Sequence, residues 1–555
     1  MKKFARVICL VLACLFCLLA VAACDNGKNN NGGNHNAGPI KTDANGVRWV
    51  SDEWGVWREY DDLPDDLDYN ETITFLYWTG SDSAMPEFVQ SEEIDDAVLS
   101  SIYKRNEAIQ SRLGIEFNFI SEPGSNAERA PFIARVQRAK DAGTHDFDLI
   151  GAHSCNTGGL LMSGLIQNIT ATEKNYIDVY KPWWPKNLTH NLAIANNLYF
   201  VSGDCSTNAI YQMMGIFFNK DMVNERYEQE AEAYFATNAH AKTPESGAEG
   251  GNTATNMLYE KVYAGKWTID EFIYFTANTY VDRYGDGVTV DDTFGVVGRE
   301  NVFCSFYGGS NLRVLERTTD GSILKLSDDW TSSKTVRLAA KMHTVLGTSS
   351  YYYDELGGSG AYARPFCSGT AYFMLGYLRQ AEQLLVNNDK VENYGILPTP
   401  KYDLNQKNYY TTLGNEFSLY SVFIDFDTRG DFQGTLSMFT AILECWGSEA
   451  YRKTTPVIFE LNMKLKSSPT QCEADMCEII RASIEVELGR VLRSALSGSA
   501  SKAYPADYMP LRAAVTGTSW TAQYSSDLQM ITNNLAKFVE DLKKTLVETD
   551  TLNRQ

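Results

Sequence analysis

Two aromatic residues close the first predicted strand of the body of the chain. The β-branched and aromatic run from Thr72 to Trp78 predicts a strand, and Tyr77 and Trp78 stand at its carboxyl end. A ring at that end could stack on the apolar face of a sugar, because Tyr and Trp combine a flat apolar surface with a polar edge. The same residues could instead pack beneath the sheet. The sequence leaves both roles open.

Short polar side chains follow a second predicted strand. The apolar residues Phe147, Leu149 and Ile150 predict a buried strand, which a turn of small residues and a short helix follow. Ligands of open α/β sheets bind outside the carboxyl ends of the strands. His153, Asn156 and Thr157 lie there, where they could hydrogen-bond to sugar hydroxyls or merely cap the next helix.

A carboxylate ends a later predicted strand, Asn197 to Gly203. Asp204 follows this strand directly. One carboxylate can accept hydrogen bonds from two adjacent hydroxyl groups, which makes Asp204 a candidate sugar ligand. Aspartate is also common in turns, so a turn residue is the alternative interpretation.

The elements that must position these residues alternate along the chain. A helix that ends at Leu113, a strand over Ile115 to Ile120 and a helix around Pro131 to Ala142 separate the first strand from Phe147. This order predicts a parallel sheet flanked by helices, and therefore an α/β protein. A chain of 555 residues is too long for one hydrophobic core. Its formal net charge of −21 excludes the basic surface that nucleic-acid binding needs.

The N-terminus predicts export and lipid anchoring. Lys2, Lys3 and Arg6 precede an apolar run, which is typical of a secretory signal over residues 1–23. The run ends in Val-Ala-Ala-Cys24, which resembles a bacterial lipobox, so Cys24 is the predicted lipidation site. An ordinary signal peptide with a nearby cysteine is the alternative. The polar, glycine-rich residues that follow predict a flexible tether over 24–48. The predicted location is the extracytoplasmic face of the bacterial cell membrane.

Five motifs occur in a fixed order behind this tether. They are the strand-loop-helix that ends in Gly164–Ile169, Asn197–Val201 with Phe218–Asp221, Trp267–Phe272, Gly369–Phe373 and Tyr394–Pro400. Together they resemble the extracellular solute-binding proteins of ABC importers, family 1, of the maltose-binding type. Each motif is weak by itself; their shared order carries the resemblance.

The resemblance implies a two-lobed periplasmic-binding-protein fold, type II-like, with a hinge of crossing strands. It places lobe one at 71–170 and 401–465 and lobe two at 171–400, and the C-terminal helices over 466–555 are assigned to lobe two. Tyr377 stands where this family often has an aromatic residue in the ligand cleft, so Tyr377 joins the candidate ligand residues.

The function that follows from the resemblance is solute capture without chemistry. We expect a monomeric, membrane-tethered protein that encloses a carbohydrate, an oligosaccharide in particular, and delivers it to the permease subunits of an ABC importer. A secreted lipoprotein glycoside hydrolase is one alternative, although no pattern marks the carboxylate pair that it needs. A surface glycan-binding lipoprotein built from helical repeats is another. The absence of a repeat period disfavours it.

The segment 282–292 resembles a calcium loop. Its residues at positions 1, 5 and 6 of an EF-hand pattern are Asp282, Asp286 and Gly287. Positions 3 and 12 lack carboxylates. Some relatives in the resembled family carry a shortened loop of this kind, in which Asp291 or Asp292 could supply the missing ligand. The alternative is a solvated turn at the end of a helix. Apart from this structural calcium, no cofactor is expected.

Overall fold

The structure is a computed structural model. It describes residues 40–52, 55–80, 84, 86–88, 95–187, 192–238, 251–299, 304–318, 324–354, 361–385, 388–426, 430–464, 471–496 and 509–552. The predicted signal peptide, Cys24 and residues 25–39 of the predicted tether lie outside the described residues. From Ile40 onward the predicted tether is not an open chain, because strands β1 and β2 pair there as an antiparallel hairpin.

Sixteen strands occur in the described part of the chain. They are β1 (Lys41–Thr42), β2 (Arg48–Ser51), β3 (Trp57–Glu59), β4 (Glu71–Thr79), β5 (Ile115–Pro123), β6 (Leu149–His153), β7 (Met214–Asn219), β8 (Phe294–Arg299), β9 (Leu315–Arg317), β10 (Leu324–Leu326), β11 (Tyr351–Asp354), β12 (Ala371–Tyr377), β13 (Tyr394–Pro398), β14 (Thr411–Thr412), β15 (Ser418–Val422) and β16 (Ile484–Glu485).

Helices fill most of the remainder. The α-helices are α1 (Ala97–Leu113), α2 (Arg129–Ala142), α3 (Ser154–Met162), α4 (Thr207–Tyr211), α5 (Lys220–Arg226), α6 (Glu228–Thr237), α7 (Ala254–Tyr263), α8 (Ile269–Thr276), α9 (Cys304–Gly309), α10 (Ser333–Leu346), α11 (Arg364–Cys367), α12 (Phe432–Glu449), α13 (Thr455–Lys464), α14 (Gln471–Ala482), α15 (Leu488–Val491), α16 (Arg493–Leu496), α17 (Met509–Thr516) and α18 (Trp520–Leu552). Short 3-10 helices cover Asp328–Thr331 and Ala361–Ala363, and π-helical turns cover Ala381–Leu385 and Ala450–Thr454.

The first large sheet has the strand order β5-β4-β6-β15. Strands β5, β4 and β6 run parallel, whereas β15 pairs with β6 in the antiparallel direction. Phe75 and Leu149 are among its fully buried residues, so this sheet is covered on its faces. Helix α1 explains how the chain returns between parallel strands: Asp96 caps its start, and Gly114, in the left-handed region, ends it.

The second large sheet repeats this arrangement with an added edge strand. Its order is β11-β8-β12-β7-β13, in which β11, β8 and β12 are parallel and β7 runs antiparallel to both of its neighbours. In each sheet the chain therefore forms the middle one of three adjacent parallel strands first (β4 or β8). It then forms the neighbour at the sheet edge (β5 or β11), and last the neighbour on the other side (β6 or β12). The antiparallel strand that pairs with the last of these three is β15 in the first sheet and β7 in the second. In both cases the chain enters this strand directly after it has crossed from the other lobe. Two lobes of one topology, joined by crossing segments, confirm the predicted two-lobed α/β fold.

In the described part of the chain, two segments that link the two large sheets cross between the lobes. The first crossing comprises residues 163–187 and 192–213, between α3 and β7, and the second comprises 399–417, between β13 and β15. Isolated bridges join them to each other and to the first sheet: Val201 pairs with Tyr420, and Met213 pairs with Leu413. The strands of both large sheets fall inside the predicted lobe ranges.

The C-terminal helices do not stay with one lobe. Helix α12, which lies inside the predicted lobe-one range 401–465, packs on α1 of lobe one. Of the helices over 466–555, α14 packs on β13 and α17 packs on α10, both in lobe two. Helix α18 contacts α3 of lobe one and β10 of lobe two. Among the described helices, none is long and apolar enough to cross a membrane.

Candidate ligand site between the lobes

The two aromatic residues at the end of β4 are engaged within lobe one. The Tyr77 ring stacks on Phe88, with ring centroids 4.5 Å apart. Trp78 is buried, its indole Nε1 donates to Ser418 Oγ at 2.9 Å, and its ring meets the His153 imidazole edge-on at 4.7 Å. Trp78 and His153 therefore pack against each other at the carboxyl ends of β4 and β6.

His153 caps the helix that follows it, the second of the two roles that the sequence left open. Its Nδ1 accepts a hydrogen bond from the backbone N–H of Cys155 at 3.1 Å. Burial lowers the pKa of His153 to about 4, so the ring is neutral at physiological pH. Asn156 Nδ2 donates to the carbonyl of Gly124 at 2.6 Å. Asn156 Oδ1 and Thr157 Oγ1 are buried without a partner among the described residues.

Asp204 lies apart from the other candidates, in the first crossing. Its carboxylate forms an ion pair with Arg481 Nη1 at 3.1 Å and accepts from Thr455 Oγ1 at 2.8 Å. Burial raises the pKa of Asp204, and the Arg481 charge opposes that shift. The preceding Gly203 is required, because a β-carbon there would lie 2.2 Å from the Trp183 carbonyl oxygen. In this structure, Asp204 therefore ties the first crossing to α13 and α14.

Tyr377 ends β12 and lies beside a polar cluster that sequence reasoning missed. Its ring is buried and lies 5.3 Å from the Arg379 guanidinium. Burial raises its pKa above the ordinary value. Arg379 Nη1 donates to Glu416 Oε2 at 2.8 Å, and Gln212 Nε2 donates to the same oxygen at 3.2 Å. The Glu416 side chain keeps 30% of its surface exposed.

The neighbour of Glu416 connects this cluster to lobe one and to the C-terminal region. The carbonyl of Asn415 accepts from Ser154 Oγ at 2.6 Å, and Asn415 Oδ1 accepts from Arg490 Nη2 at 3.0 Å. Groups from both lobes and both crossings therefore meet at the carboxyl ends of β6 and β12. We call Gln212, Arg379, Asn415 and Glu416 the interlobe cluster. The signal in the sequence was weak: Arg379 stands two residues after a strand, and Glu416 stands two residues before one.

A small cavity lies next to the interlobe cluster. Its volume is about 20 Å³, and its walls include Cys304, Tyr307, Thr412, Glu487 and Arg490. A space of this size holds about one water molecule. This cavity therefore has no room for a sugar ring.

A larger cavity lies beside the first crossing, and we call it the hinge pocket. Its volume is about 300 Å³, and its walls include Lys181, Trp184, Asp204, Tyr451 and Arg481. Of the seven predicted ligand residues, Asp204 lines this pocket and the other six do not.

The acidic loop brings three of its four candidate carboxylates together. Oxygens of Asp282, Asp286 and Asp292 all lie within 4.8 Å of one another. Asp291 is directed elsewhere and pairs with Arg364 at 2.8 Å. Asp282 accepts from the backbone N–H of Gly285 at 2.6 Å, which shapes the turn. The set of three carboxylates suits a hard cation such as Ca²⁺.

No sequence-family profile and no curated protein sequence matches this chain. Solved structures do resemble it. An extracellular solute-binding protein from Staphylococcus aureus, in complex with maltose, is 11% identical over 86% of this chain and 99% of its own, with a TM-score of 0.49. The galacto-N-biose/lacto-N-biose I-binding protein of an ABC transporter from Bifidobacterium longum is 10% identical over 84% and 97%, with a TM-score of 0.46. A family 1 extracellular solute-binding protein from Bifidobacterium longum subsp. infantis is 11% identical over 84% and 99%, with a TM-score of 0.42. These proteins belong to the class that the sequence motifs resemble.

Proposed function

We propose that this protein is a two-lobed solute-binding protein that captures a carbohydrate, an oligosaccharide in particular, for an ABC importer. The observation that carries the proposal is the interlobe cluster. Arg379 of lobe two, Gln212 of the first crossing and Glu416 of the second crossing meet where the strands of both sheets end. A ligand held there contacts both lobes, so its binding stabilises the closed arrangement over the open one.

The chemistry of the cluster suits hydroxyl groups. The partly exposed Glu416 carboxylate can accept from adjacent hydroxyls, and the Arg379 guanidinium can donate to them. No covalent step is required, and capture and release are the whole cycle.

The finer parts of the proposal rest on the sequence. The lipobox at Cys24 and the polar tether support anchoring at the extracytoplasmic face of the membrane. The motifs of the resembled family support delivery to permease subunits by a monomer. Tyr77, Trp78, His153, Asn156, Thr157, Asp204 and Tyr377 remain predicted ligand residues.

Titration calorimetry of the full mature chain tests the proposal. Maltose, maltotetraose and lacto-N-biose are suitable first probes, because structures similar to this chain hold these sugars. We expect at least one to bind and to raise the melting temperature, since a ligand that binds the folded state stabilises it. Binding of peptides but of no sugar would contradict the substrate class. Hydrolysis of a labelled oligosaccharide would contradict the absence of chemistry and favour the glycoside hydrolase.

A further inference from the structure

A short segment near the C-terminus passes between the two lobes. It comprises residues 484–493, and we call it the strap. It begins as β16, which pairs in parallel with β14 of the second crossing, so that Ile484 stands opposite Thr411 and Glu485 stands opposite Thr412. Helix α15 and the first residue of α16 complete it.

Charged groups hold the strap to lobe two. Glu485 forms an ion pair with Arg313 and accepts from Asn187 Nδ2 at 2.7 Å. Glu487 Oε1 accepts from the backbone N–H groups of Val314 and Leu315 at 3.2 and 3.0 Å. Hydrogen bonds to carboxylates are stronger than those between neutral groups, and these lie on a segment that is also paired as a strand.

The contacts with lobe one are of a different kind. A β-carbon at position 158 would lie 2.9 Å from Leu492 Cδ2 and 3.2 Å from the Val491 carbonyl oxygen, so α3 and the strap touch through a glycine. Leu492 and Val491 are buried there. Arg493 Nη2 donates to Asn126 Oδ1 at 3.0 Å, in an exposed position. The contact of the strap with α3 at Gly158 is therefore apolar, and Arg493 adds a hydrogen bond at the surface.

Between these two anchors the strap contacts the interlobe cluster through Arg490. Arg490 Nη2 donates to Asn415 of the interlobe cluster at 3.0 Å, and Arg490 Nη1 lies 2.7 Å from Cys304 Sγ. Glu485, Glu487 and Arg490 line the cavity of about 20 Å³ beside the cluster. That volume admits a water molecule and excludes a sugar ring.

We propose that the strap is a gate on the ligand site, which stays with lobe two and leaves lobe one when a ligand enters. This inference rests on the proposed function. The charged anchor on lobe two and the strand pairing with the second crossing persist, whereas the apolar contact at Gly158 opens. Free protein therefore spends part of its time with the strap on lobe one, and in this form it cannot bind the ligand. The apparent dissociation constant is the intrinsic one divided by the fraction of molecules whose strap has left lobe one.

A reversible lock tests the gate. In the double variant G158C/L492C, the new thiols can form a disulfide, because the Cα of Leu492 lies 3.7 Å from a β-carbon at position 158. We expect sugar affinity to fall at least tenfold after oxidation and to return after reduction. G158C and L492C, each treated alone with the same oxidant, control for effects on the seven cysteines that the structure describes as free. Unchanged affinity in the oxidised double variant would overturn the gate and leave the proposed function standing.

The variant L492A tests the gate by weakening its contact with lobe one, and it needs no disulfide. Shortening the side chain weakens the lobe-one contact, so we expect sugar to bind about three to ten times more tightly and to associate faster. Equal or weaker binding by correctly folded L492A would count against the gate. If the wild-type protein binds none of the sugars, the proposed function fails. Hydrogen exchange then tests the strap without a ligand. If the backbone amides of 488–493 exchange equally fast in reduced and oxidised G158C/L492C, the gate is overturned.

Discussion

Two cavities lie on opposite sides of the start of the strap, and they differ in both volume and walls. The hinge pocket, which Ile484 borders, measures about 300 Å³. The small cavity next to the interlobe cluster, which we call the interlobe cavity and which Glu485 borders, measures about 20 Å³. By size alone, the hinge pocket falls in the range of small-molecule sites and the interlobe cavity does not.

The residues that form the walls of the two cavities favour the smaller cavity as the ligand site. In the hinge pocket the buried charges satisfy one another: Arg481 pairs with Asp204 and Glu478, and Lys181 pairs with Glu59 and Asp62. The interlobe cavity is closed by a strap whose hold on lobe one is apolar and short. The proposed ligand site is therefore the cavity whose wall the strap forms, and not the larger of the two spaces. The predictions below test this distinction.

The largest effect is expected at the buried ion pair of the hinge pocket. The variant D204A leaves the Arg481 guanidinium, which is almost fully buried, without one of its two carboxylates. Removing one partner of a buried pair typically costs about 3–5 kcal/mol of unfolding free energy. Denaturant unfolding measures it. E478Q is the matched control, because the Glu478 side chain is 49% exposed and its loss should cost far less. A loss below about 1 kcal/mol for D204A would show that these walls are not rigidly held.

The next effect is a pH dependence on the interlobe side. The pKa of His153 is about 4 in the folded protein, against an ordinary value of 6.5. Above pH 6.5 the ring is neutral in both states and contributes no pH dependence. Between pH 6.5 and 4 the unfolded chain binds the proton and the folded protein does not, so stability falls as the pH is lowered, by about 3 kcal/mol in total. The variant H153N should lack this part of the stability profile. An identical profile in both proteins would contradict it.

A binding measurement compares the two cavities directly. E416A removes the carboxylate of the interlobe cluster, and we expect the sugar to lose about 1.5–3 kcal/mol of binding free energy, a factor of roughly 10–150 in affinity. Y180A alters the rim of the hinge pocket, where the Tyr180 side chain is 92% exposed, and should leave affinity unchanged. The reverse result, with loss in Y180A and none in E416A, would place the sugar in the hinge pocket.

Sequence patterns were informative where structure is local and poor where it is distant. The strand at Thr72–Trp78 and the β-α-β-α-β order were predicted because they depend on periodicity within a few residues. The role of His153 was left between ligand and cap, and its hydrogen bond to Cys155 in this structure is a cap. Asn415 of the interlobe cluster accepts a hydrogen bond from Arg490, which stands 75 positions later in the sequence, because the fold brings that late segment to the cluster. No spacing in the sequence encodes that contact.

The strap itself shows why such segments escape sequence analysis. It contains a two-residue strand and a four-residue helix, both too short for a period to emerge. Its position is decided by long-range partners such as Arg313 and Gly158. The helices over 466–555 were assigned to lobe two, whereas in the structure α18 contacts both lobes.

The smallest expected effect is a change in melting temperature at the acidic loop, which lies outside both cavities. We infer that Asp282, Asp286 and Asp292 bind Ca²⁺, since their oxygens already converge within 4.8 Å. Calcium should then raise the melting temperature of the wild-type protein by about 1–4 °C, and a chelator should reverse the shift. D286A should lose the shift. D291A is the matched control, because Asp291 pairs with Arg364 outside the cluster, and it should keep the shift. If D286A keeps the shift, or if D291A loses it, the three carboxylates are not the site. The loop would then be the solvated turn that the sequence also allowed.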